Sequence, residues 1–351
     1  MRQLVRVGKL VSRVEAMYRE YEYTRYLAIK SARARTRLGI NKKYKTISFN
    51  LKPKFGSWGG GSQFVNVFSR YLSERGHNIV FNLCSSVDVV LLIEGVDSRS
   101  SSFFKQDLEQ LMSRKPDLLV VHRVNECDSR KETDYVDNSL LHINSLANKT
   151  VFISQWLKEY HNWFSPEQHV ITNSCDETIF FPGQPWNETG EFRLVTHHWS
   201  PNWNKGFRAY LEIDSAIASE SLQNVSLTII GRWPTECKWK TAKLIPPMSG
   251  RPLADELRRH HAYITASVCE PCGMHHVEGA ACGLPVAYYR DGGGIVEMCS
   301  RYGVEFGDDP VEAVRVLKAQ YDDLRRNVIT HNYSLSSTSM CDAYAKVLEL
   351  E

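Results

Sequence analysis

Residues 269–297 read CEPCGMHHVEGAACGLPVAYYRDGGGIVE, and this stretch decides how the rest of the chain is understood. A carboxylate, Glu270, is followed by a glycine, Gly273, that permits a tight turn. A short helix then carries a second carboxylate, Glu278, separated from the first by seven residues. Gly283 sits where a helix end wants it, and a strand starts at Pro285. Gly292, Gly293 and Gly294 then open another helix. Carboxylates accept hydrogen bonds from hydroxyls. Glycines let backbone N–H groups come close to phosphate, and a helix start adds a favourable dipole. The order suits a sugar joined to phosphate.

Working outward, strand and helix patterns alternate on both sides of this stretch. Lys45–Leu51 alternates like a strand, and the near-continuous apolar run Val87–Ile93 reads as a strand covered on both faces. Asp117–Val121, Thr150–Ile153 and Val170–Thr172 extend the series, and Ser62–Glu74 reads as a helix ended by Gly76. Residues 180–191 (FFPGQPWNETGE) are rich in Pro, Gly and polar groups and form the expected linker. A second alternation follows, with strands at Arg193–Thr196, Val225–Ile230 and Ala262–Ala266. Two open, mainly parallel α/β sheets with helices on both faces are expected, with ligands beyond the carboxyl ends of the strands. The predicted units are 1–44, 45–182, 183–330 and 331–351. Gly59, Gly60, Gly61, His122, Lys205, Glu270 and the glycines after Asp291 all fall at such strand ends.

The chain has 351 residues, 42% apolar and 24% charged, enough for two domains with ordinary cores. No apolar run approaches the roughly 20 residues that cross a bilayer, and no compact apolar core marks a secretory signal. Nine cysteines, an odd number, point away from a complete disulfide framework and toward a reducing cytosol. Cys269, Cys272, His275 and His276 raise the question of zinc. They crowd more tightly than the usual two-knuckle spacing, so no metal is expected. Up to Lys45, thirteen Lys and Arg face three Glu, and the rest of the chain is net acidic. Leu4, Val7, Val11, Val14, Tyr18 and Tyr21 form one apolar seam on this basic segment. Such a helix could pack on its own protein, enter a short coiled coil or lie on an anionic membrane surface. No nucleic-acid module follows it, so nucleic acid is not an expected partner. Neither a P-loop, a first-unit GxGxxG nor a G-x-S-x-G elbow is present, which disfavours an ATPase, a typical dehydrogenase and a serine hydrolase.

EPCGMHHVEGAACGLPV followed by DGGGIVE resembles the E-x7-E, Gly-Leu-Pro-Val and Gly-Gly signatures of the family 4 (group 1) glycosyltransferases. VITNSCDETIFFP (170–182) resembles that family's interdomain segment, and Asn66–Gly76 with His77 its first-domain helix. The resemblance covers Lys45 to the C-terminus. It implies the GT-B fold, two Rossmann-like domains facing across a cleft. It also implies transfer of a sugar from a nucleoside diphosphate sugar with retention at the anomeric carbon, with no bound metal or other cofactor. By this resemblance Glu278 binds ribose hydroxyls. Glu270 lies at the donor sugar, beside the N–H groups of Gly273 and Met274. Lys205 contacts the diphosphate, Gly59, Gly60 and Gly61 approach it from the opposite domain, and His122 sits near the reacting sugar. Gly293, Gly294 and Ile295 fall near the nucleotide pocket. One departure stands out. Where the family carries a Gly-Arg pair, this chain reads THHWSPNWNKG, with His197 and His198 in that neighbourhood. Either a protonated histidine such as His198 or Arg232 then supplies the charge. The expected acceptor is a glycan or a lipid-linked glycan, met in the cytoplasm at the inner membrane face through residues 1–44. An epimerase or phosphorylase on the same fold and a non-catalytic nucleotide-sugar binder are the alternatives.

Overall fold

The computed structural model describes residues 2–39, 43–53, 60–93, 101–163, 165–187 and 190–350, with the side chains of residues 2–14 and 16 outside that description. Gly59 and the seam residues Leu4, Val7, Val11 and Val14 therefore lie outside what is described.

Short apolar runs that are buried on both faces make the central strands. The first sheet contains β1 (Thr46–Phe49), β2 (Asn78–Val80), β3 (Val89–Leu92), β4 (Leu119–Val124), β5 (Lys149–Phe152) and β6 (Gln168–Val170). All four residues of β3 are buried, as a covered central strand requires. The strand order is β2-β1-β3-β4-β5-β6, and every pairing is parallel. The second sheet contains β7 (Phe192–His198), β8 (Val225–Gly231), β9 (Lys243–Ile245), β10 (Ala262–Thr265), β11 (Val286–Tyr289) and β12 (Gly303–Phe306). Its order is β12-β11-β10-β7-β8-β9, again parallel throughout. The order reverses between β7 and β10. Ligand-binding crevices open at such switch points, and Lys205 and Glu270 follow those two strands.

Helix α1 (Arg2–Leu38) packs on its own protein, the first of the arrangements its sequence allowed. Its second half lies against α2 (Gly60–Glu74) of the first sheet's helix layer. Leu27 is fully buried, and Tyr23 Oη donates to the Asn66 carbonyl at 3.0 Å. Ser31 Oγ donates to the His77 carbonyl at 2.5 Å and Arg35 Nε to the Gly76 carbonyl at 2.6 Å. The packing stripe is thus Tyr23, Leu27, Ser31 and Ala34, one turn apart. Tyr18 and Tyr21, the described part of the sequence-derived seam, point to solvent and are 64% and 62% exposed.

The C-terminal helix Ser337–Val347 packs on the same layer. The Tyr344 ring centroid lies 4.8 Å from that of Phe64 and 5.5 Å from that of Phe68. Glu177 accepts hydrogen bonds from the Ser337 N–H and hydroxyl at its start. Among the described residues no helix is long and apolar enough to cross a membrane.

Leu27→Ala is expected to destabilise the protein by about 2–4 kcal/mol, because it empties a closed socket. Tyr21→Ala is expected to stay within about 0.5 kcal/mol of the parent. Urea unfolding of the two variants measures both.

Candidate active site

A cavity of about 310 Å³ lies between the carboxyl ends of the two sheets. Its floor is the loop after β10. Cys269 has φ 50°, a left-handed conformation that costs about 1–3 kcal/mol for a non-glycine residue and needs support from its surroundings. The glycine loop after Asp291 provides it. Cys269 N–H donates to the Asp291 carbonyl at 3.0 Å, Glu270 N–H to the Gly292 carbonyl at 3.2 Å, and Gly294 N–H to the Glu270 carbonyl at 2.9 Å. A side chain at Gly294 would lie 1.9 Å from the Pro271 carbonyl, so only glycine fits. Gly293 and Gly294 therefore brace the Glu270 loop rather than line the cavity, and Ile295 is fully buried in the core. These three residues thus lie behind the cavity-lining Glu270, near the cavity without being part of its described lining.

Glu270 is buried and gripped from both sides. Its Oε2 accepts from Lys205 Nζ, which arrives after β7, and its Oε1 accepts from Arg130 Nε of the first sheet's Asp128–Lys131 helix at 3.1 Å. Burial works against the ionised carboxyl. The Lys205 ammonium and the Arg130 guanidinium outweigh it and hold the group well below the usual carboxylate range. Arg130 Nη1 also donates to Glu126 at 2.8 Å, and Lys131 Nζ lies 3.0 Å from the same oxygen. Arg123, fully buried, donates through Nη2 to Asn173 Oδ1 at 2.7 Å and stacks 4.3 Å from the Phe64 ring centroid. Asn173 Nδ2 in turn donates to the Cys272 carbonyl at 2.6 Å, joining the two domains. The charged residues lining the cavity are Arg123, Arg130, Lys131 and Lys205 against Glu126 and Glu270, a net +2 among the described residues.

Two helix starts open on this space. Helix α2 begins at Gly60, with Gly61 beside it, and the Met274–Ala281 helix begins after Gly273. First-turn N–H groups have no partner within their own helix, so both ends attract anions. Gly206, at φ 79°, lets the Lys205 loop pass the Ala266 carbonyl, where a side chain would lie 2.2 Å away. Glu278 lines a neighbouring lobe of about 570 Å³ with Tyr23, Tyr26, Gln63, Ser249 and Met274. Its Oε2 lies 2.9 Å from His197 Nε2, and His197 Nδ1 lies 3.0 Å from Tyr263 Oη, so the carboxylate is fixed in place.

Two sequence expectations, His122 and Arg232, fail here, and a third, His198, holds in position but not in charge. His122 does not line the cavity. Side chains alternate along β4, so His122 points to Asn144, 2.9 Å from its Nδ1, and the neighbouring Arg123 takes the cleft side. His198 lines the cavity but is held neutral. Burial and the adjacent Lys205 charge push its pKa well below the usual value. Its Nε2 contacts Tyr210 Oη at 2.9 Å. Arg232 is exposed, donates to the Trp199 carbonyl at 2.9 Å and is absent from the described cavity lining. Arg123 and Arg130 carry the charge that the sequence reading assigned elsewhere. The run HRVNECDSRK, which spans the end of β4 and the loop and helix beyond it, holds the one available signal, a dense polar stretch at a strand end.

The Cys269–His276 group disperses. Cys272 Sγ accepts from the Asn173 N–H at 3.3 Å, and His275 Nε2 lies 2.9 Å from Thr265 Oγ1. No metal-binding group of three or more His, Cys, Asp or Glu forms among the described residues. Farther along, Glu297 accepts from the Gln155 and Trp156 N–H groups, both at 3.0 Å, at the start of the Gln155–His161 helix. That contact joins the second sheet's layer to the first.

No protein-family model matches the sequence, and no curated protein sequence matches it. Solved structures do. A sucrose-phosphate synthase from Thermosynechococcus elongatus superposes with a TM-score of 0.63 at 11% identity, covering 88% of this chain and 98% of that one. Anabaena HepE, solved with UDP and glucose, gives 0.61 at 12% identity over 88% and 100% of the two chains. WaaG, a glycosyltransferase of lipopolysaccharide biosynthesis, gives 0.59 at 11% over 86% and 99%. The chain shares its two-sheet GT-B architecture with these proteins.

Burial pushes the pKa values of His122 and His276 down to about 4, whereas an unfolded histidine titrates near 6.5. The unfolded chain takes up these protons first as pH falls. Their contribution is therefore complete above about pH 6.5 and is lost toward pH 4, at roughly 1.4 kcal/mol per pH unit for each histidine. Urea unfolding at pH 7 and pH 5 is expected to show a lower midpoint at pH 5.

Proposed function

We propose that the protein is a retaining glycosyltransferase that takes a sugar from a nucleoside diphosphate sugar. The observation that carries this reading is the charge of the cleft. A net +2 cavity, opened on by two helix starts, matches the −2 of a bound diphosphate and lies beside a buried carboxylate. The shared fold and the UDP and glucose bound to HepE support it.

On this reading the diphosphate lies over Lys205 and the N–H groups at Gly60, Gly61, Gly273 and Met274. Glu270 accepts a hydrogen bond from a donor sugar hydroxyl. Glu278 takes the ribose hydroxyls in the adjoining lobe. The bond between the anomeric carbon and the phosphate oxygen breaks as negative charge builds on the diphosphate, and Lys205 stabilises that charge. The acceptor hydroxyl attacks from the departing group's own face. Its oxygen bonds to the anomeric carbon and its proton passes to the released diphosphate oxygen, so configuration is retained. Domain closure excludes competing water. Residues 45–182 form the acceptor side, 183–330 the donor side, and 331–351 return to the first unit. The protein works in the cytoplasm.

The acceptor is a glycan or a lipid-linked glycan at the inner membrane face. WaaG's place in lipopolysaccharide biosynthesis supports this, as do the exposed Met17, Tyr18, Arg19 and Tyr21 on a basic helix.

A thermal-shift panel of UDP, GDP, ADP and TDP is expected to raise the unfolding temperature with at least one of them, and no shift with any contradicts the reading. Glu278→Ala is expected to raise the donor KM strongly with little change in kcat. Lys205→Ala is expected to lower kcat by about 10²–10³-fold. Steady-state kinetics with the selected donor tests both, and wild-type turnover in both variants sinks the site assignment. Removing residues 2–21 while keeping the packed half of α1 from Tyr23 onward is expected to weaken binding to phosphatidylglycerol vesicles and to spare donor hydrolysis. Cosedimentation and a hydrolysis assay report the two effects.

A further inference from the structure

We infer that Arg130 is a substrate-contacting residue that reaches across the cleft and binds the donor's diphosphate, supplying the guanidinium that the second domain lacks. This deepens the reading of the cleft given above and rests on it.

On the second domain's side, Lys205 is the only cation lining the cavity among the described residues. His198, beside it, is neutral. Arg232 turns out to the Trp199 carbonyl. A single ammonium leaves one diphosphate charge unmatched. The first domain brings three cations to the same space. Arg123 is fixed in the wall by Asn173 and Phe64. Arg130 differs. It stands on the one-turn helix Asp128–Lys131 and already reaches the other domain at Glu270.

Its present partners suit a group that changes hands. Arg130 uses Nε on Glu270 and Nη1 on Glu126, and its Nη2 makes no hydrogen bond among the described residues. Glu270 keeps Lys205, and Glu126 keeps Lys131, if the guanidinium shifts to a third anion. No carboxylate is stranded by the exchange, so the cost of an unpaired buried charge does not arise. A planar fork also matches two phosphate oxygens at once, which a lysine cannot do. Because Arg130 and Lys205 come from opposite domains, full charge matching requires the domains to be together.

Calorimetry on the full-length protein tests this with inorganic pyrophosphate and with the di- and monophosphate of the nucleoside selected in the thermal-shift panel. The wild type is expected to prefer the nucleoside diphosphate over the monophosphate. In Arg130→Gln that preference is expected to shrink about tenfold or more, pyrophosphate binding is expected to weaken, and monophosphate affinity is expected to hold. Arg130→Lys is expected to recover part of the loss. Glu126→Gln, which removes a competing carboxylate, is expected to tighten pyrophosphate. Thermal unfolding of each variant checks that it is folded, and a misfolded Arg130→Gln leaves the Arg130→Lys and Glu126→Gln comparisons to decide. An Arg130→Gln protein that loses di- and monophosphate affinity equally, or loses neither, overturns the assignment of Arg130 alone. A wild type that binds no nucleoside diphosphate overturns the reading of the cleft, and this inference with it.

Discussion

The structure turns on one carboxylate held out of water between two domains. Glu270 sits at the end of a loop that has no freedom left, with a left-handed residue before it and a glycine loop bonded to its backbone on both N–H and C=O. Its charge survives burial because cations arrive from opposite sides. Either cation alone keeps the anion paired, and only the loss of both would leave a desolvated charge without a partner. The Lys205 loop and the Asp128–Lys131 helix meet across the cleft on this group.

The surrounding architecture solves that problem economically. Parallel sheets end their strands on the same side, so loops from β1, β4, β7 and β10 converge without long excursions. Glycines appear where backbone must pass backbone, at Gly206 against the Ala266 carbonyl and at Gly294 against the Pro271 carbonyl. Polar residues in the cleft are chained rather than isolated. Arg123 to Asn173 to the Cys272 carbonyl spans both domains, and Glu278 to His197 to Tyr263 anchors the neighbouring lobe. Such chains fix geometry more firmly than single contacts do.

Much of this was legible in the sequence, for physical reasons. Covered strands write themselves as apolar runs, and β3 and β8 were readable that way. The glycine, carboxylate and helix order around Glu270 and Glu278 survived into the structure because local turn chemistry dictates it. What escaped notice depends on side-chain direction or on partners distant in sequence. Period-two alternation puts His122 and Arg123 on opposite faces of β4, and the sequence alone does not say which face meets the cleft. Arg130 gains meaning only from Glu270, 140 residues away. Short edge strands also escaped. In β9 only Ile245 is partly buried, so no apolar run announces it. On α1 the exposed tyrosines looked like a packing seam, while the true contact stripe mixes Tyr23, Leu27 and Ser31 and looks unremarkable as a pattern.

Glu297 has a mechanical consequence. Its carboxylate caps the Gln155–His161 helix with two hydrogen bonds and belongs to the other sheet's layer. Charge-assisted bonds at a helix start are expensive to break. Pulling the two halves apart would break both bonds together, so Glu297 acts as a clasp between the two sheet layers.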